Sequence, residues 1–281
     1  MISRREFLIS SAVGLAGAAS RVWAAPGQHP LGAQLYTVRN LAKRRLAAAL
    51  AGIRQIGYEE VETFTDLYSH PAAELKGMIA DHGLRVPSGH FDYVTLKQKL
   101  DYAHTLELDF VICPMLPKTM RTSLDGFKKA ADQLNQYGEK VKQAGMRFGF
   151  HNHNYEFRRF GDITGFDVLM SSTDSSLVCL EMDCYWITQA GEDPIAMFQR
   201  LGSRIKMLHL KDRKAGYRPS QTLNRRAEHM TPVGTGAINW KAILAHAALN
   251  GVQHMFVEQD SGDLPPIEEL RISYQNLQPL L

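Results

Sequence analysis

"QIGYEEVE" (55–62), "QAGMRFGF" (143–150) and "LNGVQHMF" (249–256) share one form: the end of an amphipathic run, a glycine, then at once an apolar run of strand length. A helix that stops on glycine and passes directly into a strand is the joint of a repeated β-α unit. Working outward from these joints gives eight strand-like runs: "LGAQLYTV" (31–38), "YEEVETF" (58–64), "LRVPSGHF" (84–91), "DFVICPML" (109–116), "MRFGFHN" (146–152), "LVCLEMD" (177–183), "RIKMLHLK" (204–211) and "VQHMFVEQ" (252–259). Helical patterns lie between them, clearest in 40–57, in 123–145 behind a Ser/Asp capping region, and in 238–251. Eight such units in about 255 residues match a (β/α)₈ TIM barrel, typically ~250 residues long. The alternative is a doubly wound open sheet, which usually has fewer strands; no G-x-G-x-x-G follows the first strand here. One domain without a linker is expected over 26–281. The fifth helix is weakly patterned, and 212–236 reads as a long polar loop of a functional kind.

The N-terminus carries a different signal. "SRREFLISSAVGLAGAAS" begins with the pair Arg4-Arg5, followed by Phe7, Leu8 and a mildly apolar Ala/Gly-rich run. "VWAA" (22–25) then offers small residues for cleavage. This predicts a twin-arginine signal peptide over 1–25 and a periplasmic mature protein. The run is too short to span a membrane, which takes roughly 20 residues, and no cysteine stands near the cleavage site for a lipid anchor. The chain is 44% hydrophobic and 22% charged, enough for a sizeable core. Its net charge of +3 includes Arg4, Arg5 and Arg21. The mature chain is therefore near neutral, with no reason to expect nucleic acid as a partner. Cys113, Cys179 and Cys184 form no C-x-x-C pair and predict no disulfide framework.

In a (β/α)₈ barrel the active site lies at the C-terminal ends of the strands. Those ends carry Gln34, Tyr36 and Arg39 (first strand), Glu62 (second), His90 (third), His151, His153 and Glu156 (fifth), Asp183 (sixth), His209 and Lys211 (seventh), and Glu258 and Asp260 (eighth). A lone strand histidine is usually a satisfied core residue. A whole rim of ionisable groups is expensive to hold without a use. Asp183, His209 and Glu258 each close an apolar strand and would converge at the barrel mouth. Such a mixed O/N set suits one divalent ion, Mn²⁺, Co²⁺, Zn²⁺ or Mg²⁺.

These residues stand in motifs: "QLYTVR" (34–39), "HNHNYEF" (151–157), "EMDCYW" (181–186), "HLKD" (209–212), "PVGTGAINWKAI" (232–243) and "FVEQD" (256–260). With them the mature chain resembles the xylose-isomerase-like TIM-barrel superfamily, in particular its sugar phosphate isomerase/epimerase branch. The resemblance implies one divalent metal held by Asp183, His209, Glu258 and a ligand from the fifth strand. Ketose 3-epimerases of that superfamily have a glutamate at the fifth strand end, as both ligand and base; here His151 stands there. A turn near Asn154 would bring Glu156 to the metal as fourth ligand, leaving His151 or His153 as base. The H-x-H-x-x-E pattern resembles a subset that acts on keto-sugars and keto-glycosides by elimination or hydration.

The expected activity is therefore a metal-dependent carbohydrate isomerase or epimerase, working by proton abstraction beside a carbonyl to give an enediolate. A 3-keto-glycoside lyase or hydratase, using the same metal and base, is the alternative. Lys211 would stabilise the enediolate oxygen, and Glu258 is a second candidate base. Tyr36, Arg39, Glu62, His90 and Trp186 are the candidate substrate contacts, with Tyr36 and Trp186 available to stack on a sugar face. Arg39 and Arg213 could bind a phosphate, although an exported enzyme favours a neutral sugar. A phosphodiesterase of the AP-endonuclease kind would need more metal ligands and a basic groove for DNA, which this chain lacks. A non-catalytic sugar-binding barrel would not need Asp183, His209 and Glu258 together.

Overall fold

Each expected strand is a strand of one closed barrel in the computed structural model, which describes residues 30–224 and 229–281. The predicted signal segment, 1–25, lies outside the described residues. The strands are β1 (Leu31–Gln34), β2 (Glu60–Thr63), β3 (Arg85–His90), β4 (Phe110–Cys113), β5 (Arg147–His151), β6 (Val178–Asp183), β7 (Ile205–Leu210) and β8 (His254–Val257). Each pairs in parallel with the next in chain order, and β8 closes on β1. This is the (β/α)₈ TIM barrel that the repeated joints imply.

The described helices are α1 (Arg39–Ile56), α2 (Ala72–Asp81), α3 (Leu100–Thr105), α4 (Leu124–Gln143), α5 (Gly165–Ser172), α6 (Cys184–Ala190), α7 (Pro194–Leu201), α8 (Trp240–Asn250) and α9 (Pro266–Leu277). In α4, Ser123 caps the N-terminus by accepting from Gly126 N–H at 3.1 Å, and Phe127, Ala131, Leu134 and Val141 turn one apolar stripe inward. Burial of the larger of these side chains stabilises the fold by about 2 kcal/mol each. The joint after α1 requires its glycine: Gly57 has φ +126°, and an added Cβ would lie 2.5 Å from the Tyr274 hydroxyl. The weakly patterned fifth helix is real but short, eight residues with a Thr164/Asp167 capping box. The polar 212–236 segment is not wholly irregular, because Asp212–Arg213 pairs antiparallel with Met230–Thr231 at its two ends.

Inside the barrel, Phe110, Ile112, Cys179, Met207 and Phe256 form a separate buried cluster. It is the floor on which the site stands. Side chains alternate along a strand, so the inward residues climb from apolar to ionisable: Cys179, Glu181, Asp183 on β6, and Met207, His209, Lys211 on and just past β7.

Candidate active site

Two polar layers rest on this floor. Strand register fixes them, since His151 lies opposite Glu181 and Asp183 opposite His209. In the lower layer, Glu62 Oε2 accepts from Gln34 Nε2 at 2.6 Å and stands 2.7 Å from His209 Nε2 and 3.0 Å from His90 Nε2. Glu181 Oε2 is 2.7 Å from His90 Nε2, 3.2 Å from His151 Nδ1 and 3.3 Å from His209 Nε2. The other oxygen of Glu181 is buried without a partner among the described residues.

The upper layer faces the barrel mouth. His209 Nδ1 lies 2.9 Å from Glu258 Oε2 and 3.9 Å from Asp183 Oδ2. His151 Nε2 is 3.7 Å from Asp183 Oδ2. The Lys211 ammonium contacts three carboxylates: Glu258 at 2.5 Å, Asp183 at 3.0 Å and Asp260 at 3.1 Å. Asp183 also caps α6 by accepting from Trp186 N–H at 2.8 Å, which fixes its second oxygen toward the site.

Burial would pull His90, His209 and Lys211 down, but the carboxylates outweigh it. Glu62 and Glu181 push His90 up to about 9. Glu181, Glu258 and Glu62 hold His209 well above its usual value, and Asp183, Asp260 and Glu258 do the same for Lys211. Burial likewise raises Glu258, yet Lys211 and His209 hold it well below the usual carboxylate range. His151 and His153 are driven well down, first by burial and then by neighbouring cationic groups, so both are neutral near pH 7. Three cationic side chains therefore face five carboxylates, a deficit that one divalent cation would complement.

Among the described residues, two sets of side chains could hold such a cation: Asp183, His209 and Glu258, or His90, His151, Glu181 and His209. The first fits better. It brings two carboxylates where the other brings one, Glu258 carries one of them to the open pocket, and Asp183 Oδ2 is buried with no hydrogen bond among the described residues, touched only through ion pairs. Glu156 joins neither set. The chain turns after β5 into a short 3₁₀ turn, Tyr155–Phe157, which points Glu156 back so that Oε2 accepts from His153 N–H at 3.0 Å. Burial pushes this carboxyl up to about 7. His151 is the β5 side chain that reaches the Asp183 side.

Above the layers lies a cavity of about 220 Å³. From β5 to β8 it is lined by His151, His153, Trp186, Lys211, Glu258 and Asp260. From β1 to β4 it is lined by Tyr36, Phe64, Pro114 and Met115, with His90 and the exposed Asp66 and Asp92. His153 packs beside Trp186 (5.2 Å between ring centres) and stacks on Tyr155 (5.9 Å), and its Nδ1 has no hydrogen-bond partner. Of the expected substrate contacts, Tyr36, His90 and Trp186 line the cavity. Glu62 does not; it is enclosed beneath it. Arg39 also stands aside, donating to the carbonyls of Tyr36 and Asp260. Arg213 is likewise engaged, by Gln189 Oε1 and the Tyr217 carbonyl, so neither arginine presents a phosphate site to this cavity.

Sequence reasoning passed over Glu181 because it sits inside an apolar run rather than at a strand end. The available signal was its spacing, two before Asp183 and so on the same inward face. It also passed over Asp212, whose carboxylate accepts from the N–H groups of Arg213, Gly234, Gly236 and Ile238 and from Trp240 Nε1, all at 2.7–3.2 Å. The "PVGTGAINW" motif is thus a loop wrapped on one buried carboxylate. An added Cβ at Gly236 would fall 2.5 Å from the Arg213 carbonyl oxygen.

A family model described as xylose isomerase-like TIM barrel matches residues 50–278. Among curated proteins the chain is similar to the inosose dehydratase of Clostridium beijerinckii, 32% identical over 152 residues that cover 50% of each chain. The chain thus spans about half the length of the curated relatives it matches. Among solved structures it is similar to a sugar phosphate isomerase/epimerase from Parabacteroides distasonis, with TM-score 0.76, 24% identity, and 89% of this chain and 98% of that one covered. It is also similar to an IOLI protein with a bound zinc atom, with TM-score 0.68, 16% identity, and 89% and 97% covered. At these identities the structural likeness shows the fold.

Proposed function

The chain belongs to the xylose isomerase-like TIM barrel family, and on that premise we propose that it is a divalent-metal lyase that removes water from a small, neutral polyhydroxy ketone. The observation that carries this reading is the two-sided cavity. The neutral imidazole of His153 and the ammonium of Lys211 stand on its β5–β8 side, while the opposite wall has only the hydroxyls of Tyr36 and Thr65, His90 in the floor and the exposed Asp66 and Asp92 as polar groups among the described residues. A proton is then taken and returned on one face. Inversion at carbon, which epimerisation requires, needs a group on each face. Elimination with one acid–base group does not.

Asp183, His209 and Glu258 would hold the metal, with His151 as the group β5 directs toward it. When bound, the metal supplies Lewis acidity at the substrate carbonyl. His153 removes the proton from the carbon beside the carbonyl. The C–H electron pair moves toward the carbonyl oxygen, where the Lys211 ammonium meets the developing charge. That pair then forms the C=C bond as the C–O bond to the β-hydroxyl breaks, and the His153 imidazolium returns its proton to the departing oxygen. The products are an unsaturated ketone and water. The cations among the described lining residues, Lys211 and His90, are both already shared by buried carboxylates, which favours a neutral substrate over a phosphorylated one. The similarity to inosose dehydratases supports dehydration over the isomerisation ranked first on sequence alone; the two share their first step.

The test is exchange of the substrate α-proton with D₂O. His153→Ala should slow it about 10²–10⁴-fold, with His151→Ala acting mainly on metal retention. Exchange unaffected by His153→Ala would put the base elsewhere. We further propose that the protein is exported, on the strength of Arg4-Arg5 and the apolar run behind them.

A further inference from the structure

We infer that Glu181, together with Glu62, is a positioning residue that fixes which ring nitrogen of His209 and of His151 is offered to the upper layer; this rests on the metal reading above. Each of these imidazoles is bound at both ends. His209 presents Nε2 to Glu62 at 2.7 Å and to Glu181 at 3.3 Å, and Nδ1 to Glu258 and Asp183. His151 presents Nδ1 to Glu181 at 3.2 Å and Nε2 to Asp183. The two rings use opposite nitrogens, yet both turn the same way: the nitrogen facing the lower layer meets a carboxylate enclosed by protein.

An ionised carboxylate only accepts hydrogen bonds. Every imidazole nitrogen facing Glu62 or Glu181 therefore keeps its proton, so the lone pair of neutral His151 lies on Nε2 toward Asp183, and the nitrogen of His209 that can yield its proton to a metal is Nδ1, toward Asp183 and Glu258. A buried carboxylate costs free energy unless it is used. Glu181 is fully buried and one of its oxygens has no partner among the described residues, so packing does not account for it. Its register position opposite His151 and its reach to three imidazoles do. A glutamine would keep the volume but could turn an NH₂ toward the rings and release the tautomers. Outer-sphere partners of this kind typically contribute 10–100-fold in metal affinity.

The experiment is titration of metal-free, full-length protein with Mn²⁺ against a competing chelator, for the native sequence, Glu181→Gln and Glu62→Gln, with thermal unfolding in parallel. A second readout is the ¹⁵N spectrum of histidine-labelled native protein, with and without Zn²⁺. The expected result is one ion per native chain and one ion bound 10–100-fold more weakly by each folded variant. In the native spectrum Zn²⁺ should shift His209 Nδ1 while Nε2 stays protonated. Native affinity in a folded Glu181→Gln, or a Zn²⁺ shift at His209 Nε2, overturns the inference while leaving the metal reading standing. Two ions per native chain, one lost in Glu181→Gln, would make the lower layer a metal site and overturn it too. No ion bound by the native protein removes the metal reading and this inference together. If both variants fail to fold, the native ¹⁵N spectrum decides alone.

Discussion

Glu156 is the residue whose environment contradicts its outward chemistry. It is a carboxyl closed off by protein, with one oxygen on a backbone N–H and, among the described residues, no counter-cation in contact and no partner for the other oxygen. Burial is the first cause of its raised value of about 7. The native state thus binds this proton more tightly than the unfolded chain, whose value is about 4.5. Below about pH 4.5 both states hold the proton and the difference vanishes. As pH rises toward 7 and beyond, the native state is progressively penalised, by up to about 3 kcal/mol. Glu156→Gln should therefore remain stable between pH 5 and 8 while the unsubstituted protein weakens, as read from melting temperatures at matched pH. Parallel pH curves would show that the carboxyl is neither buried nor protonated as described. The residue scale also shows where sequence reading stops. The strand ends located His151, Asp183, His209 and Glu258, because each follows an apolar run. The direction of Glu156 depends on a 3₁₀ turn of three residues, which periodicity does not resolve.

At the scale of elements, the barrel was legible because its signal repeats. Three glycine joints and eight apolar runs give the same answer independently, and each run contains one observed strand. The loop after β7 was not legible in the same way. Its order comes from a side chain at 212 reaching amides more than twenty residues later, a contact with no local periodicity. That contact is the anchor of the loop that leads into α8. Asp212→Ala would leave five donors without their acceptor, and hydrogen bonds to a charged group contribute about 1.5–3 kcal/mol each in the most favourable cases. With partial rescue by water, a net loss of about 3 kcal/mol is expected, or about 10 °C in melting temperature for a domain of this size. A melting temperature within 2 °C of the parent, on the order of the shift from 1 kcal/mol or less, would mean that the loop is held by other contacts.

At the scale of the whole molecule, the parts divide the work. The apolar cluster inside the barrel closes the bottom, the enclosed Glu62 and Glu181 contact the imidazoles above it, and the mouth holds the groups proposed to meet substrate. The two-layer arrangement was only half readable in sequence. Ionisable residues at strand ends announce themselves, whereas a carboxylate one step deeper looks like an interruption of an apolar strand. The proposed export belongs to this scale too. Replacement of Arg4-Arg5 by Lys-Lys should retain the protein in the cytoplasm, as followed by cell fractionation; unchanged export would overturn the twin-arginine assignment.

The proposed reaction is dehydration by metal-assisted proton removal. Its most direct measurement is the mass of the product when the purified, Mn²⁺-loaded protein is given a panel of neutral cyclic and open-chain polyhydroxy ketones, with and without EDTA. Loss of one water from at least one ketone is expected, abolished by EDTA and restored by Mn²⁺. Turnover with no change in mass would make the enzyme an isomerase, and loss of water that persists in EDTA would contradict the metal's part in it.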